Sequence, residues 1–586
     1  MKPQPIKYLP YLFAVLLAAI LLIFYKEFLW RMQLHSIFLS NELFFSQSVA
    51  LPGGFMTWIS AYLTQFFYYP ALGTAILSVL WFLIIFLYIK TFGNDLATRA
   101  SSAVLPAALF AVFAQSGYYL FYVKLQANFM APQVGVLFVL IVAFICSKLK
   151  GNVKLFFICI VSVAGYPLFG VYAFLAAFVS AIYGKNIIKL TITVVCSCTA
   201  SAFLYYYTHN TVKMSELIYA GLPCLTIGPD TVKFYAVPYI FLIIGLLMPL
   251  IIKFLKFEKS GKIFAFGLFI ALVSGLSVHH YRNKTFFDEL KMYRALYSGD
   301  FNEALNTAEK CEKPTLSVIL YRNIALWKTG SLANKAFTYN LETTKQAAPF
   351  GCSLAQTGAN VGYYYLGKIN FCYRWAIENS VEYGWNIENL TFATRCALLN
   401  NEFDLAEKYI GLLSQTLFYK TEAEHLSKFL NNPDLIKSDP EFADIVLMMN
   451  YPDKLSGDQG KISQFIYSDM SECNINTRSA REFAAVSALI YKNDEMFQRQ
   501  CAEYIKLCVS ECDLPVHFQE ALLFFAYFNN KTYPDNAPFK PEIKAKFISF
   551  AKDYQALINR SEHNPAEILK TAYGNTYYFY YCFINN

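Results

Sequence analysis

Residues 70–89 read PALGTAILSVLWFLIIFLYI, twenty residues without a charge, closed by Lys90. A spanning helix needs about 20 mostly apolar residues, because each residue rises about 1.5 Å through a hydrocarbon layer about 30 Å thick. Runs of the same kind cover 8–25, 100–123, 129–146, 155–165, 166–183, 187–207, 235–252 and 263–278. Together they predict about nine spans. The fifth and sixth are short and share Gly165-Tyr166-Pro167-Leu168-Phe169-Gly170. That turn predicts two half-length helices, or one hairpin that does not fully cross, held where neighbouring protein satisfies the exposed backbone. The first run is followed by Lys26, Glu27 and Arg31 rather than a small-residue cleavage site, so it reads as a retained anchor.

Charged residues make up 15% of the 586-residue chain, against about 25% in an ordinary soluble protein. The shortage ends at Tyr281, where charges return, interleaved with apolar residues at helical spacing. The composition therefore predicts an all-α protein in two parts: a polytopic helix bundle over 1–280 and a soluble helical domain over 281–586.

The net charge of +8 does not point to nucleic acid, because the basic residues sit in short connections between apolar runs. With the N-terminus inside, the inner connections carry Lys2 and Lys7, Lys90 and Arg99, Lys148, Lys150 and Lys154, Lys185 and Lys189, then Lys253, Lys256, Lys259 and Lys262. The outer ones carry Lys26 and Arg31, Lys124, and Lys213 with Lys233. The positive-inside rule then predicts a cytoplasmic N-terminus and a C-terminal domain outside.

Fourteen cysteines are present, none paired at the two-residue spacing of a zinc or redox site. Nine fall in the later half, an odd number, which argues against a complete disulfide framework.

The first outer loop, 26–69, is the long one. Phe55, Trp58, Ile59, Tyr62, Leu63, Phe66 and Phe67 recur at helical spacing opposite Thr57, Ser60, Thr64 and Gln65, which predicts a helix lying in the membrane interface. Residues 34–47 also read as helical, with Glu42 on the apolar side, four positions after Phe38. A carboxylate there is either desolvated or facing a cavity, and desolvation raises its pKa toward general-base range. Glu42 is therefore the candidate catalytic residue. Arg31, Lys124, Lys213 and Arg282 are the candidate lipid-phosphate ligands; their bland alternative is snorkelling at helix ends. No metal-spacing cluster, nucleophile motif or nucleotide loop stands out, and no cofactor is implied.

The later half contains a repeat. Ala295-Leu296, Gly299, Phe301 and Ala304 recur as Ala397-Leu398, Asn401, Phe403 and Ala406, 102 residues on, three periods of 34. Looser copies begin at Ala325-Leu326 and Ala488-Leu489. The pattern resembles the tetratricopeptide repeat, without its regular Trp and Pro positions. The resemblance implies an α-solenoid with a concave face and a protein partner. The chain closes on Tyr577-Tyr578-Phe579-Tyr580-Tyr581, a segment expected to dock its rings on the stack or on the bilayer surface.

Two wider resemblances follow. Leu51-Pro52-Gly53-Gly54 with Gln65-Phe66-Phe67-Tyr68-Tyr69-Pro70, then Tyr365-Leu366-Gly367-Lys368-Ile369-Asn370 with Arg374-Trp375-Ala376, then Leu405-Ala406-Glu407-Lys408-Tyr409 resemble an uncharacterised Bacteroidota family of integral membrane proteins. That resemblance implies the inner membrane and a periplasmic domain. The layout is also similar to that of C-type, polyprenyl-phosphate-dependent glycosyltransferases, which have a long first outer loop bearing acids, short paired helices in the bundle and often an outer C-terminal domain. Asn41-Glu42 stands where two acids are usual in those enzymes.

Two functions are expected from different classes. One is a glycosyltransferase-like protein using a lipid-linked, polyprenyl-phosphate sugar at the outer face, its site between the first outer loop, the short hairpin and the last outer loop. The other is a non-catalytic membrane scaffold whose repeats bind an envelope protein. A transporter fits less well, since the spans hold almost no ionisable residues.

Overall fold

In a computed structural model the chain is described over residues 5–122, 127–184, 186–208, 217, 220–222, 229–343, 354–453, 462–508, 514–531, 539–560 and 563–584. Among the described residues every regular element is a helix. The chain forms two compact units. Unit 1 is Met1–Arg282 with Glu378–Thr391 and Glu407–Ser427; unit 2 is Asn283–Ile377, Phe392–Ala406 and Lys428–Asn586. Two segments from beyond 281 thus belong with the apolar half.

Unit 1 opens with α1 (Leu9–Phe24), α2 (Lys26–Leu34), α3 (Glu42–Val49) and α4 (Gly54–Thr64). It continues with α5 (Pro70–Phe92), α6 (Leu96–Ser101), α7 (Val104–Ala114), α8 (Ala131–Lys148), α9 (Gly151–Phe169), α10 (Val171–Ile182), α11 (Ile187–Thr208), α12 (Pro229–Phe254) and α13 (Gly261–His279). Among the described residues seven helical stretches are long and apolar enough to cross a membrane, or eight if α1 and α2, bent by 79° between them, form one broken span. The stretch Leu96–Ala114 is 83% buried inside the bundle, whereas Ile187–Tyr207 and Gly261–His279 are 11% buried. Apolar side chains such as Ile263, Phe266 and Val278 stand exposed on a helix with little polar surface. Water cannot stably face such a surface and lipid can. This is a membrane protein.

The fifth apolar run differs from expectation. It is one helix of 19 residues, Gly151–Phe169, with Pro167 in its last turn, and the turn to α10 comes at Gly170 (φ +56°). Pro167 has no N–H to give the carbonyl one turn back, which weakens the last turn, and a positive-φ glycine ends the helix. Only α10, with 12 residues, is short.

The expected helix over 34–47 is also broken. Asn41 adopts an extended backbone and its side chain accepts from Phe44 N at 2.6 Å, an N-cap that starts α3 at Glu42. Phe38, buried, lies in the non-helical link before it. Glu42 therefore does not share a helical face with Phe38. It is the first residue of α3 and exposed, and the expected desolvation does not occur. In α4 the buried residues are Gly54, Met56, Ser60, Ala61 and Thr64, small or hydroxyl-bearing apart from Met56. Ser60 and Thr64 satisfy their hydroxyls on carbonyls one turn back, at 2.7 Å each, so this face packs closely without orphaned donors.

Among the described residues unit 2 repeats one turn six times. Asp300 N donates to Ala295 O, Ser331 N to Leu326 O, Lys368 N to Tyr363 O, Glu402 N to Ala397 O, Asn493 N to Ala488 O and Lys531 N to Ala526 O, all at 2.8–2.9 Å. The residue before each donor has positive φ: Gly299, Gly330, Gly367, Asn401, Lys492 and Asn530. This is the Schellman ending, which reverses the chain into the next helix. The alanines of the repeat, Ala295, Ala304, Ala325, Ala397, Ala406 and Ala488, are all buried, so paired helices approach closely. Turns at Gly367 and Asn530 escape the sequence repeat because Tyr363 replaces the first alanine in one and Asp535 stands at the second alanine's position in the other. The last helix, Tyr577–Phe583, docks its rings inside unit 2, with Tyr577 centred 5.2 Å from Phe337 and 5.7 Å from Phe525.

Candidate functional site

A buried polar group lies in the first long loop. Every residue of α2 from Phe28 to Leu34 is buried, Arg31 and Gln33 among them. A buried guanidinium is tolerated when a counter-charge meets it. Arg31 Nη2 donates to Glu388 Oε1 at 2.9 Å, and the Phe121 ring lies 5.5 Å from the guanidinium carbon. Their exposures are 1% and 6%. Glu388 sits in the first turn of the helix Ile387–Leu399, where a carboxylate also meets the positive end of the helix dipole. His35 Nε2 is 3.8 Å from Glu388 Oε2. Dense packing, and secondarily the charge of Arg31, hold its imidazole well below the ordinary 6.5, although 23% of the ring surface is open. His35 is therefore neutral near pH 7, and the anion's partner is Arg31.

Around this pair the two later segments are tied to the loop. Ile387 N donates to Ser36 O at 3.2 Å. Tyr419 OH donates to Gln33 Oε1 at 2.8 Å. Ser40 Oγ donates to Gln415 O at 3.0 Å, and Asn41 Nδ2 to Gln415 Oε1. Phe418 stacks on Tyr68 with centroids 5.2 Å apart. A cleft of about 250 Å³, measured to its open side, remains between Gln33, Ser36, Gln65, Thr416 and Tyr419.

A second feature joins three connections. Gly53 N donates to Pro167 O at 2.9 Å, and Val171 N to Ala220 O at 3.0 Å. Tyr166 OH donates to Leu217 O at 2.6 Å, and Tyr205 OH to Ala50 O at 2.7 Å. Gly53, Gly170 and Gly221 all have positive φ. A Cβ on Gly53 would lie 3.4 Å from both Gly170 N and Gly221 N, and one on Gly170 would lie 2.2 Å from Ala220 O. The first long loop, the α9–α10 turn and the connection after α11 thus meet at a point where backbones touch.

Among the described residues the sequence candidates Glu42, Arg31 and Arg282 stand in separate places. Glu42 is exposed at the start of α3. Arg31 is interior and ion-paired, a correction to its expected place as a phosphate ligand at the interface, because a guanidinium committed to a buried carboxylate presents little charge to a lipid. Arg282 is exposed, and its Nη2 caps the end of α13 by donating to Ser277 O at 2.6 Å. Lys124 and Lys213 lie outside the described residues. Among the described residues no three His, Cys, Asp or Glu side chains group to hold a metal ion. Glu388, which sequence reasoning passed over, reads locally as an ordinary helix-start acid; nothing near it in the chain signals Arg31.

Residues 2–584 match the profile of DUF6057, a family of unknown function. The chain belongs to DUF6057. No curated protein and no solved structure matches it. For this DUF6057 chain the profile spans both units, including the segments that carry Glu388 and Tyr419.

Proposed function

We propose that this DUF6057 chain is a non-catalytic, membrane-anchored scaffold whose helical hairpins bind a protein partner in the cell envelope. One observation carries the reading. The interior of the first long loop, where a lipid-linked donor would need room and free charge, holds the buried Arg31–Glu388 pair and is clasped by Glu378–Thr391 and Glu407–Ser427. The repeated hairpins of unit 2 support it, since stacked pairs of this kind in other proteins form extended binding faces. The lysine distribution favours an inner-membrane protein with a cytoplasmic N-terminus and a periplasmic hairpin half. Complementation of a null strain tests the proposal: Glu42→Gln is expected to restore the phenotype fully. Loss of function at normal abundance overturns it. A C-terminal alkaline phosphatase fusion, active only outside the cytoplasm, tests the orientation.

A second reading is favoured by the meeting of Gly53, Gly170 and Gly221. It brings together the three connections between which a glycosyltransferase-like site for a polyprenyl-phosphate sugar would lie. In that reading the Glu42 carboxylate acts as base toward an acceptor hydroxyl, with Lys124 and Lys213 toward the phosphate. Accumulation of a lipid-linked sugar in the Glu42→Gln strain is its expected outcome, and an unchanged lipid-linked pool sinks it.

A further inference from the structure

Within unit 1 a groove of about 530 Å³, measured to its open side, runs between α7, α12 and α13. Its walls are small and apolar: Ala107, Ala108, Ala111, Ala271 and Gly275 line it. A Cβ at Gly275 would meet nothing within 4 Å, so the gap comes from missing side-chain volume rather than from distorted backbone. All three helices belong to stretches able to cross the membrane. A groove at that level opens on lipid.

A dry gap between apolar helices forfeits dispersion contacts along its whole lining. Small residues close such gaps when helices meet directly. Here α12 meets α7 closely, a Cβ on Gly245 lying 2.8 Å from Leu105, and the gap is left beside α13 at Gly275. The groove also has a polar end. Gln115, the residue closing α7, and His279, the last residue of α13, both line it. Gln115 is 3% exposed, and among the described residues its Nε2 has no hydrogen-bond partner. A buried amide donor left without an acceptor costs about 1–3 kcal/mol, so such groups nearly always find a partner in protein, water or a bound molecule.

We propose that this groove holds one acyl chain of a glycerophospholipid, with an ester carbonyl of that lipid accepting from Gln115 Nε2. The chemistry matches at both ends. The apolar walls take a hydrocarbon chain. The ester carbonyls of a bilayer lipid sit where its hydrocarbon begins, the level at which α7 and α13 end. A neutral carbonyl suits a neutral amide donor; among the described residues the lining holds no lysine or arginine to meet a phosphate. The site is independent of both functional readings above and would make a held lipid part of the packing of α7, α12 and α13.

The test uses the full chain reconstituted in nanodiscs of palmitoyl-oleoyl phosphatidylethanolamine, released into mild detergent and weighed by native mass spectrometry. Wild type is expected to retain about one phosphatidylethanolamine. Gln115→Leu removes the donor and should weaken retention about fivefold, the size of one neutral hydrogen bond. Gly275→Leu fills the groove and should abolish retention. Gly267→Leu, on the exposed part of the same helix with nothing within 4 Å, should retain the lipid as wild type does. If Gly275→Leu fails to fold, Ala271→Leu, at an exposed position, fills the same groove. The proposal is overturned if wild type retains no lipid, if the groove-filling variant retains as much as wild type, or if a polyprenyl phosphate supplied in the nanodisc displaces phosphatidylethanolamine.

Discussion

Arg31 and Glu388 stand 357 positions apart in the chain and 2.9 Å apart in space. Both are almost fully buried, so neither charge has water to fall back on. The pair neutralises the cation that the first long loop carries inside.

Removing one partner is expected to cost more than removing both. Arg31→Met or Glu388→Met alone should destabilise by about 3–5 kcal/mol, because each leaves a buried uncompensated charge. The double variant Arg31→Met with Glu388→Met should recover a large part of that loss. A double-mutant cycle on thermal unfolding in detergent reads the coupling; additive losses would show that the two charges do not depend on each other.

His35 should make the protein acid-sensitive. Its imidazole is held below 6.5 in the folded chain, by burial first and by Arg31 second. The unfolded chain therefore binds a proton that the folded chain refuses. Stability is complete above the ordinary value and is lost as pH falls below it. Between pH about 7.5 and about 5.5 the unfolding temperature of wild type should drop further than that of His35→Phe. Equal drops would place the sensitivity elsewhere.

Two glycines in unit 1 should respond oppositely to alanine. Gly170→Ala puts a Cβ 2.2 Å from Ala220 O at a position with φ +56°, so the junction must open. Little folded protein is expected by size-exclusion fluorescence. Gly411→Ala, inside the helix Phe403–Ser414 with nothing within 4 Å, should be neutral or stabilising by up to about 1 kcal/mol. A well-folded Gly170→Ala protein would contradict the close approach of the three turns.

The hairpin turns of unit 2 predict a third contrast. Asn401 holds φ +59°. Asn401→Gly should be tolerated or slightly stabilising, whereas Asn401→Val should cost about 1–2 kcal/mol, the price of a left-handed backbone for a side chain with a crowded Cβ. Thermal unfolding of the purified full chain separates the two.

The sequence by itself determined the class of this protein. Hydrocarbon thickness dictates run length, so the apolar stretches from residue 8 to residue 278 declared membrane helices without reference to anything distant. Helical spacing and a residue tolerant of positive φ likewise announced the hairpins at Gly299, Gly330 and Asn401, because a turn's chemistry is local. The interior of the first long loop was decided by tertiary structure. Asn41, as an N-cap, restarted the helix and put Glu42 on the surface, which a periodicity count over 34–47 does not register. Arg31 looked like a free interfacial cation because its counter-charge comes from Glu388, in the other half of the chain. Buried pairing depends on which groups folding brings within 3 Å of each other, and no spacing within the sequence encodes that distance.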